Sequence, residues 1–141
     1  VAPLKGVELP YWERGAESQP RFLRAVSMAH GGLWDRLLGL ASTWSNEDAQ
    51  NPHGHYWRGL ALGRLARLDD AEAALGHANQ LAPLWAAPLE ALGLLHLQRQ
   101  RPADAHRILE RLQSLRKGAG DKLRLALQRC ADQPAKTPCT S

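Results

Sequence analysis

The sequence has few of the residues that mark a disulfide-rich, metal-binding or membrane-spanning chain. Its 141 residues include only two cysteines, without the matched Cys or His pair that a tetrahedral metal site requires. No uninterrupted apolar run approaches the roughly 18 residues of a membrane span. Since 44% of the residues are hydrophobic, we expect one soluble domain with its own core. The sequence begins with Val1 and not with Met, so we expect a processed product or an excerpt. Whether a signal peptide or an anchor was removed is left open.

Residue patterns typical of an active site are also missing. There is no Ser-His-Asp or Cys-His arrangement, no pair of carboxylates in an apolar setting and no Gly-rich phosphate loop. His53 and His55 stand at a helix start, where solvent-facing residues are expected rather than metal ligands. His96 falls on an apolar face and is expected to be a hydrogen-bonded core residue. We predict no enzymatic activity, no cofactor and no metal.

The sequence does contain a pattern of small and apolar residues written twice at an interval of 34, which we call the period. A stacked helix-turn-helix repeat requires a regular interval of this kind. Only Gly or Ala fits where paired helices cross closely, so we expect Gly59 opposite Ala71 and Gly93 opposite Ala105. The recurring pairs are Gly59 and Gly93, Leu60 and Leu94, Asp70 and Asp104, Ala71 and Ala105, Leu75 and Leu109, and Leu81 and Leu115.

Residues 52–115 resemble tetratricopeptide repeats, in which a small residue, Ala, a large apolar residue and Pro recur in this order. Gly59, Ala71, Leu75 and Pro83 meet that pattern in the first of the two units. The departures are Lys117 at the second Pro position, and His55, Leu62, Leu89 and His96 where Trp and Tyr are typical. The resemblance implies an all-α fold: a right-handed superhelical stack of three helix-turn-helix repeats with a C-terminal capping helix.

The rest of the chain is divided around this period. Counting back by one period places small or apolar side chains in the same frame at Ala25, Leu37 and Ala41. The predicted units are an extended lead-in over 1–17, repeats over 18–51, 52–85 and 86–119, a capping helix over 120–132 and an irregular tail over 133–141. Within the lead-in, Tyr11 and Trp12 are expected to cover the first repeat or to dock a partner.

Helix boundaries follow from capping residues and breakers. Ser18 is the predicted N-cap of the first helix, which Gly31-Gly32 ends, and Asp121 is the predicted N-cap of the last. The intervening helices are predicted over 33–44, 53–67, from 69 or 70 to 81, 84–100 and 102–115.

The two cysteines lie near the end of the chain. Cys130 falls on the capping helix and Cys139 on the tail, with eight residues between them. They are either two free thiols or a disulfide that closes the tail onto the helix. If the bond forms, the entropic model predicts about 2 to 3 kcal/mol of stabilisation.

The resemblance also implies where a partner binds, on the concave side lined by the first helix of each repeat. Transferred by phase, the partner-binding residues are Phe22, Val26, His30, His53, Tyr56, Leu60, Arg64, Glu90, Leu94, Leu97 and Gln98. Several of them are alternatively core residues. Tyr56, Leu60, Leu94 and Leu97 predict an exposed apolar stripe with polar rims, which suits an amphipathic helix or an extended apolar peptide.

Charge is distributed unevenly along the chain. The net charge is +4, but residues 99–141 hold ten Lys or Arg and four Asp or Glu. The favoured interpretation is that these basic residues form a solvated outer face. The next interpretation is that they bind an acidic partner or associate weakly with an anionic membrane surface. We expect no nucleic-acid partner, because no aromatic platform accompanies the charge.

Together these features predict a protein-protein interaction scaffold: an adaptor, assembly factor or chaperone that binds a protein or peptide. The alternatives are a structural module within a larger chain or complex, and binding of an acidic partner or anionic surface through the basic C-terminal face. Self-association would distinguish the structural module, and the oligomeric state is left open. The Ala/Leu/Arg-rich composition suggests a bacterial protein, and analogy favours the periplasmic cell envelope over the cytoplasm.

Overall fold

The computed structural model describes residues 19–132, which form seven α-helices and no strand. The helices are α1 (Pro20–His30), α2 (Trp34–Glu47), α3 (Pro52–Arg64), α4 (Leu68–Leu81), α5 (Ala86–Gln98), α6 (Pro102–Leu115) and α7 (Asp121–Ala131). None of them combines the length and hydropathy of a membrane-spanning helix. The prediction of an all-α chain is therefore confirmed over this range. The predicted lead-in with Tyr11 and Trp12, and the predicted tail, lie outside the described residues.

The predicted helix boundaries are correct within a few residues. Gln19, not Ser18, is the N-cap of α1, because Pro20 occupies the first helical position. α3 ends three residues before the predicted Arg67, where the backbone of Ala66 turns left-handed. α7 begins at Asp121, and Gly120 takes the N-cap position. α2 runs past Trp44 to Glu47, and α5 is shorter than predicted at both ends.

The helices recur at the interval found in the sequence. α2, α4 and α6 begin at positions 34, 68 and 102, so each start follows the previous one by a full period. The turns before them close in the same way, since the amides of Leu33, Arg67 and Arg101 donate to carbonyls five residues earlier at 2.8–2.9 Å. This bond is characteristic of a Schellman ending. The period of the sequence thus determines where each helix pair turns.

Each helix contacts the next one along the chain up to α6. In addition, α3 contacts α1 and α5, and α7 packs against α5 and α6. The positions that share a phase are buried in all three pairs: Ala25, Gly59 and Gly93; Leu37, Ala71 and Ala105; Ala41, Leu75 and Leu109. The core therefore runs along the whole array.

The small residues fit against different neighbours from those predicted. A Cβ placed on Gly59 would lie 2.6 Å from the Cγ atom of Leu75, and one on Gly63 would lie 3.9 Å from the Cβ of Ala71. α3 and α4 are antiparallel, so the predicted Gly59–Ala71 contact is wrong by one helical turn. The predicted Gly93–Ala105 contact is also wrong, because other residues lie nearest to Gly93.

α7 explains the contact at Gly93. The atoms nearest a Cβ on Gly93 belong to Leu123 of α7, at 2.4 Å, and to Ile108 of α6, at 3.2 Å. Leu123 is fully buried. The close approach is therefore between α5 and the last helix, whose packing partner the period does not specify.

Candidate partner-binding groove

A groove of about 530 Å³ lies between α3 and α5 and reaches the first turns of α2 and α7. Side chains spaced by three or four residues line it from each of the two main helices, so each helix presents one face. The lining residues are Trp34, Tyr56, Gly59, Leu60, Gly63, Arg64, Leu75, Ala87, Glu90, Ala91, Leu94, Leu95, Gln98 and Lys122. We call this the α3–α5 groove.

Tyr56 is the largest α3 side chain in the groove. It is half-buried, and its ring lies 5.3 Å from that of Trp57 and 5.0 Å from that of Trp85. Burial, together with the negative charge of Glu90, raises the pKa of Tyr56 to about 12. The phenol therefore stays neutral at physiological pH and is able to donate a hydrogen bond.

The rim of the groove carries charges of both signs. The Arg64 guanidinium lies 5.2 Å from the centre of the Trp34 ring, a cation–π contact. Lys122 Nζ lies 3.7 Å from Glu90 Oε1, and the lysine side chain is largely exposed. A ligand would therefore meet the apolar side chains of Tyr56, Leu60 and Leu94 beside charges of both signs.

Six of the eleven predicted partner-binding residues line this groove: Tyr56, Leu60, Arg64, Glu90, Leu94 and Gln98. Two others belong to the core, which corrects the prediction. Leu97 is only 1% exposed, in a cluster that includes Leu123 and Leu127 of α7. His53 is 7% exposed, its ring centroid 4.5 Å from that of Trp85. The apolar stripe thus consists of Tyr56, Leu60 and Leu94, without Leu97.

The three residues predicted from α1 lie elsewhere. Phe22 packs edge-on against His53 and Trp57, at 5.8 and 6.1 Å between ring centroids. Val26 is half-buried beside the core cluster that contains Trp57, and His30 is exposed at the end of α1. The first helix pair instead contributes Trp34, from the start of α2.

Several lining residues were not predicted. Ala87 and Ala91 precede Leu94 and Gln98 at helical spacing, so the face of α5 was a usable signal for them. Trp34 and Lys122 enter from other helices. No sequence pattern indicated that these two residues line the groove, because their position depends on how distant segments pack.

Among residues 19–132, no group of three His, Cys, Asp or Glu side chains is arranged to hold a metal ion. The sequence predicts that His96 is a hydrogen-bonded core residue. Its buried Nδ1 atom has no hydrogen-bond partner in this range, so the prediction is wrong for this atom. Cys130 is disulfide-bonded; Cys139 lies outside the described residues.

The predicted basic face is partly neutralised by neighbouring acids. Arg107 pairs with Asp104, and the Arg124 guanidinium lies 3.9 Å from the carboxylate of Asp121. Arg99 binds both Asp69 and Glu72 of α4 at 2.6 Å, and its side chain is only 17% exposed. These pairs reduce the positive charge that this part of the chain presents to a partner.

Comparison with known proteins gives no family for this chain. No protein-family model matches it, and neither a curated protein nor a solved structure is similar to it at a significant level. The class is therefore defined by the structure alone, as an all-α array over residues 19–132.

Proposed function

We propose that this protein is an interaction scaffold whose α3–α5 groove binds an apolar or amphipathic peptide segment of a partner protein. In this proposal the helix pairs are tetratricopeptide-like repeats in a superhelical stack. The helix starts at positions 34, 68 and 102, evenly spaced by one period, support that stack. The main support for binding is the apolar floor of Tyr56, Leu60 and Leu94.

The groove suits a peptide because its apolar and charged side chains are distributed along two helices and are not gathered at one point. The apolar side chains Tyr56, Leu60 and Leu94 line it together with the charged side chains Arg64, Glu90 and Lys122, of which Glu90 and Lys122 are neighbours. An amphipathic helix would place apolar side chains three or four residues apart on the floor and its own charges at the rim. Tyr56 is the expected anchor, being large, amphipathic and partly ordered already by Trp57 and Trp85.

A peptide library displayed on phage and selected on the purified protein tests this proposal. Peptides of about four helical turns present several side chains on one helix face. Enriched sequences should carry apolar residues at helical spacing. A synthetic peptide with the enriched sequence should bind saturably by calorimetry.

A pair of matched variants locates the binding. Leu94→Glu places a charge on the groove floor and should weaken the selected peptide at least tenfold, about 1.4 kcal/mol. Leu84→Glu is the control, because Leu84 is 83% exposed and lies outside the groove. Equal affinity of the two variants would reject the groove as the binding site.

Two further results would favour the alternatives. Loss of binding on charge reversal at Arg107, Arg111 and Arg124, with Leu94→Glu inert, would assign the basic face instead. Absence of any selected peptide, with concentration-dependent dimers in sedimentation, would indicate a structural module that packs through its own surface.

A further inference from the structure

A second cavity, of about 510 Å³, lies between α2, α3 and α4 and shares no lining residue with the α3–α5 groove. We call it the histidine pocket. α2 lines it with hydroxyl and amide groups, α3 and α4 with basic ones. The lining residues are Ser42, Ser45, Asn46, Ala49, His55, Arg58, Ala73, Ala74 and His77.

Three basic side chains meet in this pocket. The rings of His55 and His77 have centroids 4.1 Å apart, and Arg58 follows His55 by one turn of α3. No carboxylate lines the pocket, and Arg58 has no ion-pair partner within residues 19–132. A cation beside two imidazoles in contact, with no carboxylate among the lining residues, is an arrangement suited to an anionic ligand.

Packing alone does not require these side chains. The equivalent positions one period later hold Leu89 and Leu92, both buried. The same site in the next helix pair is therefore filled by leucine, the ordinary choice for a core. One period earlier the equivalent positions hold Arg21 and Arg24, so polar groups occupy these positions in the first two helix pairs and leucine in the third.

The protonation of His55 is linked to the charge of the pocket. Burial is the main cause that lowers its pKa, and the charges of His77 and Arg58 lower it further. The 2.9 Å hydrogen bond between Nε2 and the Ala49 carbonyl acts in the opposite direction. α2 contributes only uncharged lining groups, and Asp48, in the turn after it, accepts a hydrogen bond from Asn51. A negative ligand would favour the protonated imidazoles.

We propose that the histidine pocket binds a doubly charged tetrahedral oxyanion, namely phosphate or the phosphate group of a monoester, held by Arg58, His55 and His77. The guanidinium offers a fork of two N–H donors to such an anion. Ser42 and Asn46 supply further polar groups at the α2 wall. Acid favours imidazolium but removes the second charge of the phosphate, whose second pKa is about 6 in a monoester, so the two protonations have opposite effects on affinity between about pH 7.5 and about pH 6.

Histidine NMR provides the test. The ring C–H signals are followed while sodium phosphate is added at constant ionic strength, at about pH 6 and about pH 7.5. We expect saturable shifts of the His55 and His77 signals as phosphate is added. The signals of His30 and His106, which are exposed and distant in sequence, should not move.

Variants distinguish a pocket from general ion binding. Arg58→Gln and His77→Gln should each weaken phosphate at least tenfold. Arg111→Gln is the matched control, because Arg111 occupies the position of His77 one period later. Circular dichroism verifies that each variant is folded.

Three results would overturn the proposal: shifts that grow linearly without saturation, affinity unchanged in Arg58→Gln, or tight binding of Zn²⁺ without any phosphate effect. A parallel titration with O-phosphoserine identifies the source of the phosphate. Equal affinity means that the pocket accepts the group on a larger molecule. Binding of inorganic phosphate alone means that the ligand is the free ion.

Discussion

Ala66 and Gln100 adopt the same left-handed backbone conformation, with φ of 63° and 61°, and they stand one period apart in the sequence. Gly32, one period before Ala66, has φ of 71°. All three end the first helix of a pair. Glycine adopts this conformation freely, whereas a residue with a Cβ carries a penalty of about 1 kcal/mol or more.

Replacing the two strained residues with glycine should therefore stabilise the protein. Ala66→Gly and Gln100→Gly should each raise the free energy of unfolding by about 0.5 to 1 kcal/mol, measured by urea denaturation. The control is Ala73→Gly, on the exposed face inside α4, which should lower it by about 1 kcal/mol. A loss of stability in all three variants would mean that the turns are not strained.

Glycines inside the helices should respond in opposite directions. A Cβ on Gly59 would lie 2.6 Å from the Cγ of buried Leu75, whereas a Cβ on Gly76 would have no neighbour within 4 Å. Gly59→Ala should lower the melting temperature, and Gly59→Leu should cost about 2 kcal/mol or more. Gly76→Ala should raise stability by about 0.5 to 1 kcal/mol through helix propensity. An unchanged melt for Gly59→Leu would contradict the packing of α3 on α4.

The helices were predictable from the sequence because their ends depend on local backbone chemistry. Pro102 opens α6 and Gly31-Gly32 ends α1, as the sequence indicated. The period carried the same turns through all three helix pairs, even where Ala66 and Gln100 replace glycine. Local signals of this kind do not depend on what packs across the helix.

The exposure of individual groove residues was less predictable, because burial depends on distant segments. Leu97 has the phase of a groove residue, yet it shares a core cluster with Leu123 of α7. His53 is buried beside Trp85, which follows α4. Trp34 and Lys122 join the groove for the same reason. Phase identified the helix faces, and tertiary packing decided which residues remained accessible.

Acidification below neutral pH should weaken the fold through two buried histidines. Burial lowers the pKa of both His53 and His55 from 6.5 in the folded state. As the pH falls below about 6.5, the unfolded chain takes up protons first, so the free energy of unfolding decreases. Each histidine contributes at most about 1.4 kcal/mol per pH unit. Urea denaturation between about pH 7.5 and 5.5 measures the slope.

A variant measures how much His53 contributes to the pH dependence of the free energy of unfolding. His53→Phe keeps an aromatic ring between Trp44 and Trp85 but cannot protonate. Its stability should fall less steeply with acid than that of the parent, while His106→Phe, at an exposed position, should leave the slope unchanged. A slope that is equal in the parent and in His53→Phe would show that His53 does not contribute.

The bond at Cys130 should be detectable by mass. Cys130 is disulfide-bonded, and Cys139 is the only other cysteine of the chain. The monomeric, non-reduced protein from an oxidising host compartment should be lighter by two hydrogens than the reduced protein. Reduction should lower stability by about 2 to 3 kcal/mol on the entropic model. Free alkylation of both thiols without reductant would contradict the bond.

The ring and the hydroxyl of Tyr56 should contribute very differently to the free energy of unfolding. The ring contacts Trp57 and Trp85 and packs against two core clusters, so Tyr56→Ala should lower the free energy of unfolding by about 2 to 4 kcal/mol. The hydroxyl has no hydrogen-bond partner within residues 19–132, so Tyr56→Phe should change stability by no more than about 0.5 kcal/mol.

The same pair of variants tests whether the hydroxyl faces a ligand. If Tyr56 anchors a peptide in the α3–α5 groove, Tyr56→Phe should reduce the affinity of a selected peptide while the urea midpoint stays in place. If Tyr56→Phe instead destabilises the protein as much as Tyr56→Ala, the hydroxyl belongs to the core, and the anchor must be sought at Leu60 or Leu94. Calorimetry and urea denaturation on the same preparations separate these outcomes, because binding and folding are then measured independently.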